Sequence, residues 1–99
     1  MTEPDHLRGN ALRGRNLSHV TEILEVVRRS AVDRACDDRN VAKGEWRDEP
    51  FAVLKDVLIG EVAELIDAAQ NGTMDEVVHE AGDVVWCVAM ICDWRRGRG

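Results

Sequence analysis

Nine consecutive apolar residues, Val84 to Cys92, sit inside a segment with helical spacing and flanks. A helix that is apolar all round must be covered on every side. The run is half the ~18 residues a membrane span needs, so protein and not lipid has to cover it. The chain has 99 residues and forms a single domain, and domains this small leave roughly a third of their surface unburied. Two further helices from one copy can hardly enclose the run. The expectation is therefore an all-α fold, three principal helices per chain, forming a bundle completed by oligomerisation as a homodimer or homotetramer.

The remaining segments follow the same logic. Residues 1–16 mix Gly, Pro, Asn and Arg without periodicity and read as an irregular or flexible N-terminal segment; residues 17–99 read as one helical domain. Val20, Ile23, Leu24, Val27 and Ala31 recur at three and four residues, with Asn16 or Ser18 as caps, which predicts a first helix to about Ala35. A polar connection from Asp37 to Glu49 follows, longer than loops between bundle helices usually are. Pro50 sits where a first-turn proline is favoured, with Asp48 and Glu49 as candidate caps. Phe51, Leu54, Leu58, Leu65 and Ala69 then predict a second helix over about 50–70. Asn71-Gly72 offers the left-handed conformation that ends helices, and Thr73 to Glu76 reads as a capping box for a third helix over about 74–95. The last two helices form a tight antiparallel hairpin.

Composition excludes several classes. With 44% hydrophobic and 32% charged residues the chain folds and is soluble. Met1 to Asp5 carries no basic segment leading into an apolar one, so a cytoplasmic protein with no membrane partner is expected. Cys36, Cys87 and Cys92 have no metal-ribbon spacing and read as small buried hydrophobes. The net charge of −6 is segregated: from Asp56 to Asp83 there are eight acidic residues and no Lys or Arg. Such a field attracts cations and argues against direct nucleic-acid binding, which needs a basic stripe. Phosphates would bind here only through a metal ion.

On a helical wheel Glu61 falls inside the apolar arc that runs from Leu58 through Leu65 and Leu54 to Val57, and Glu64 flanks that arc, whereas Asp56 and Asp67 face the opposite side. A carboxylate among apolar residues requires a cation or a donor. In the third helix Glu80 and Asp83 repeat the i, i+3 spacing. Glu64 lies eight residues before Gly72 and Glu80 eight after it, so the hairpin sets the two pairs at similar height. Four converging carboxylates suit a hard cation with oxygen ligands, Mg²⁺ with Mn²⁺ as a substitute. Glu64, at the edge of the arc, is the candidate general base.

Glu61-Val-Ala-Glu64-Leu65 followed by Glu80-Ala-Gly-Asp83-Val84 resembles the ExxE and ExxD signature of the MazG-like all-alpha NTP pyrophosphohydrolases. That group is related to phosphoribosyl-ATP pyrophosphatase and the dimeric dUTPases. The resemblance covers roughly residues 46–94. It implies that Glu61, Glu64, Glu80 and Asp83 bind Mg²⁺, and that Mg²⁺ holds the triphosphate of a (deoxy)nucleoside triphosphate substrate. Water then releases a nucleoside monophosphate and pyrophosphate. By analogy it also implies house-cleaning of the nucleotide pool. Many members open the first motif with a glutamate doublet; this chain has Gly60 there, one carboxylate fewer for a second metal or for activating water.

Lys43, Arg47 and Lys55 lie where they could reach a phosphate chain anchored at the metal, and Trp46 could stack on a base or close the core. His6, His19 and His79 lack ligand-like spacing. Two rival readings stand beside the hydrolase. One is a non-catalytic helical oligomerisation or partner-binding module, for which metal has no effect. The other is the same fold acting on phosphoribosyl-ATP.

Overall fold

The helical hairpin turns at Gly72 and Thr73, between the two helices expected on either side. A computed structural model describes residues 3–37 and 46–98, with side chains over 18–37 and 46–98. Its elements are α1 (Glu3–Ala35), one turn of 3₁₀ helix (Trp46–Asp48), α2 (Phe51–Asn71) and α3 (Met74–Arg96). Thr73 caps α3, its Oγ1 accepting the Glu76 backbone N–H at 3.2 Å. Gly72 is extended (φ −103°, ψ −178°) and not left-handed as its sequence context predicts. Space is what calls for glycine there: a Cβ would stand 3.0 Å from the Ala68 carbonyl oxygen and 2.9 Å from Glu76 Oε2. At the other end of α2, Pro50 is itself the N-cap, and neither Asp48 nor Glu49 caps the helix: Asp48 ends the 3₁₀ turn, and the Glu49 N–H donates back to the Trp46 carbonyl.

α3 is the central element, packed against α1 on one side and α2 on the other. Its buried positions are Gly82, Asp83, Cys87 and Met90. Leu54 of α2, 2% exposed, is the most enclosed large side chain among the described residues, and burial of a leucine contributes roughly 2–3 kcal/mol. The fold is thus the all-α bundle expected from the sequence, with no strand among the described residues.

Three expectations need correction. The first helix begins at Glu3 and not after a cap at Asn16 or Ser18, so residues 3–16 are not irregular. Pro4 is tolerated in a first turn, and the weak helix formers that follow each cost ~1 kcal/mol or less, which a helix nucleated elsewhere can absorb. On α1, Val20, Ile23 and Leu24 stay exposed, and only the end around Val27, Ala31 and Arg34 is covered. Of the three cysteines read as buried hydrophobes only Cys87 is buried; Cys36 and Cys92 are exposed, and on the apolar run of α3, which one chain leaves partly open, so are Val85 and Val88. The radius of gyration is 16.1 Å, against about 13 Å for a compact domain of this size. A chain this open leaves its apolar stripes for something else to cover.

Candidate metal centre

The two acidic pairs converge. Glu61 and Glu64 from α2 and Glu80 and Asp83 from α3 each place a carboxylate oxygen so that all four lie within 4.8 Å of one another. The hairpin produces this by holding the two i, i+3 pairs at one height. Asp83 is buried, Glu61 and Glu80 are half-buried, and Glu64 is exposed. Oε2 of Glu61 and Oε2 of Glu80 are shut away from water with no hydrogen-bond partner among the described residues, an arrangement that costs free energy unless a cation or donor is supplied. Burial pushes the Glu61 carboxyl above its usual range, and the charges of Glu64 and Asp83 push it further, while Arg34 opposes them. Glu80 is raised in the same way, by burial and then by Asp83 and Glu64. The set is all oxygen, negatively charged and short of donors, which fits a hard divalent cation such as Mg²⁺ or Mn²⁺.

A cleft of about 440 Å³ runs along α2 from Val53 through Leu54 and Val57 to Glu61, faced by Trp46, Trp86 and Met90. That is within the usual range for a small-molecule site. Trp46 meets Trp86 edge to face, with centroids 5.4 Å apart and planes at 89°. A second hollow of about 360 Å³ between the hairpin helices is lined by Glu64, Asp67, Glu76 and Glu80. Glu61 faces the aromatic cleft and Glu64 faces the acidic hollow, so the centre lies between the two.

Trp46 is held from the far end of α3. Its Nε1–H donates to Asp93 Oδ2 at 3.0 Å. Arg47 grips the same carboxylate in a fork, at 2.8 and 3.2 Å, and Arg96 adds a bond at 2.9 Å. These donors, Arg47 foremost, hold the Asp93 carboxyl far below the usual range. Trp94 Nε1–H donates to the Glu49 carbonyl at 2.8 Å, and Arg98 lies over the Trp94 ring at 3.9 Å.

Of the residues singled out for substrate from the sequence, Trp46 stands on the cleft and Arg47 is joined to Asp93 beside it. Lys55 is exposed, six residues before Glu61 and so roughly 120° around α2 from it. Lys43 lies outside the described residues. Sequence reasoning missed Arg34, Asp93 and Trp86. Arg34 carried a legible signal: it continues the Val27 and Ala31 stripe at helical spacing, a charge among apolar positions like Glu61. His79, set aside on spacing, places Nε2 3.7 Å from Asp83 Oδ2. The Cys87 thiol under the carboxylates is pushed up to about 11, by burial first and then by Glu61 and Asp83, so it stays an inert thiol.

Residues 50–98 match the family model described as the MazG nucleotide pyrophosphohydrolase domain. The match takes in α2, α3 and all four carboxylates, and leaves α1 out. No curated protein and no solved structure matches the chain. No described helix is long and apolar enough to cross a membrane.

Proposed function

The chain belongs to the MazG-like family through residues 50–98, and from that premise we propose that it hydrolyses (deoxy)nucleoside triphosphates to nucleoside monophosphate and pyrophosphate. The observation that supports this most is the convergence of four carboxylates, two of them with orphaned buried oxygens, beside an aromatic cleft large enough for a base. Glu61, Glu64, Glu80 and Asp83 would hold Mg²⁺, with Mn²⁺ as a substitute. A divalent cation bound there supplies neutralisation of the phosphate oxygens and a water of lowered pKa.

The chain's own residues do the rest. Trp46 and Trp86 cover the base, since aromatic faces stack on any base at modest cost in selectivity. Asp93 fixes the Trp46 indole through its N–H. Glu64, exposed and facing the acidic hollow, accepts the proton of the attacking water. The water oxygen bonds to the α-phosphorus, the bond from that phosphorus to the α–β bridging oxygen breaks, and pyrophosphate leaves with the electron pair. The active form is at least a homodimer: the exposed apolar stripes of Ile59, Val62 and Ile66 on α2 and of Val85 and Val88 on α3 are covered by a second copy, because one chain cannot cover them. Clearance of unwanted nucleotides from the pool is the role that fits a small enzyme of this kind.

Pyrophosphate release from a panel of ordinary and damaged NTPs and dNTPs, together with phosphoribosyl-ATP, tests the proposal. Metal-dependent release that is lost in Glu61→Gln and in Asp83→Asn is the expected result. Absence of cleavage across the panel, with metal leaving the protein unchanged, would instead favour a helical interaction module.

A further inference from the structure

The family match stops short of α1, yet α1 sets a cation on the carboxylate centre. Arg34 Nε lies 3.4 Å from Asp83 Oδ1, and the Asp83 side chain is only 6% exposed. The same Arg34 lines the aromatic cleft beside Glu61. The helix crossing that brings it there is tight. Gly82, next to Asp83, lets α1 come up against the α3 backbone: a Cβ at Gly82 would run into Ser30 Oγ, and would stand 2.8 Å from Ser30 Cβ and 3.1 Å from the Ala31 nitrogen. Ala31 is itself buried. Among the described residues, the other basic group facing Asp83 is His79, exposed on α3 and 3.7 Å away.

We propose that Arg34 is the resident counter-ion of the metal centre: its guanidinium neutralises Asp83 across the α1–α3 contact, and its charge competes with a divalent cation for that carboxylate. This rests on the metal-centre reading above. Uptake of metal is thereby tied to the seating of α1, a helix outside the family match. Two effects of opposite sign follow. Without metal, Arg34 relieves the repulsion among the four carboxylates and stabilises the fold. Towards metal, its positive charge repels a second cation at close range. A side chain with only a packing role would, when removed, weaken the fold and the metal site together.

The test is Mn²⁺ titration by calorimetry without nucleotide, paired with thermal melts in EDTA, on wild type, Arg34→Gln and Arg34→Lys. Arg34→Gln is expected to melt at a lower temperature in EDTA yet to bind Mn²⁺ about tenfold more tightly, a change of ~1.4 kcal/mol by the standard conversion. Arg34→Lys keeps the charge and stays within about threefold of wild type. Unchanged or weaker Mn²⁺ binding in Arg34→Gln overturns the inference. Should Arg34→Gln be unfolded in EDTA, Mn²⁺ must restore its helical circular dichroism, and failure to do so counts equally against it. If wild type itself binds no Mn²⁺, the metal-centre reading falls and this inference with it; if wild type binds and Arg34→Gln binds no tighter, only this inference falls.

Discussion

Asp93 holds Trp46, and the four-carboxylate centre contributes Glu61, to one and the same cleft, yet the electrostatics of the two are opposite. Asp93 is one acid surrounded by donors: the Trp46 indole, the Arg47 fork and Arg96. Every demand of that carboxylate is met, and its pKa is driven down. Among the described residues the centre gathers four acids around one guanidinium and leaves two oxygens orphaned, and its Glu61 and Glu80 pKa values are driven up. The first is a finished structural joint. On the function proposed above a cation completes the second, and unmet electrostatic demand of this kind is what makes it the candidate site.

The largest effect should separate the two ends by substitution. Removing a carboxylate from the centre, as Glu61→Gln or Asp83→Asn, is expected to weaken Mn²⁺ binding by at least about 100-fold, since loss of even an outer partner of a ligand costs about 10–100-fold. Asp93→Asn is expected to leave Mn²⁺ affinity unchanged while raising the nucleotide KM, because it loosens Trp46 and not the centre. Equal loss of metal binding in all three variants would erase the distinction.

A smaller and sharper contrast lies in pH. Glu61 and Glu80 have folded values raised above their ordinary 4.5, so the folded state binds the extra protons. Their contribution to metal-free stability is therefore fully present below that ordinary value and is lost as pH rises through the folded ones. Asp93 has the opposite sign: its contribution is present above the ordinary value of 3.8 and is lost only in strong acid. Chemical denaturation in EDTA from neutral to mildly acidic pH should show stability rising as pH falls, and saturating Mg²⁺ should abolish that rise. The same slope with and without Mg²⁺ would mean that these carboxylates do not hold the metal.

The smallest effects concern two helix glycines. A Cβ at Gly60 meets nothing within 4 Å among the described residues, so Gly60→Ala should stabilise the protein by about 0.5–1 kcal/mol through helix propensity alone. Gly82→Ala should destabilise it, because Ser30 and Ala31 occupy the space. Melting temperatures of the two variants, moving in opposite directions, would confirm that the α1–α3 crossing is tight where Arg34 meets Asp83.

What the sequence disclosed follows from locality. The hairpin was legible because Thr73 and Glu76 act within one turn, and the acidic pairs because each lies on one helix at equal distance from Gly72. Arg34 is joined to Asp83 only by the way α1 crosses α3, and Trp46 finds Asp93 across 47 residues of chain. Neither pairing has a spacing rule to reveal it. The start of α1 was misread for a different reason: periodicity reports an amphipathic helix, and residues 3–16 have none.

The most direct test of the central claim is a crystal structure with Mn²⁺ and a non-hydrolysable α,β-imido dNTP, with the metal located by anomalous scattering. The account predicts an anomalous peak within about 2.2 Å of oxygens from Glu61, Glu64, Glu80 and Asp83, with the base beside Trp46 and Trp86. A peak elsewhere, or four carboxylates turned away from the metal, would contradict it.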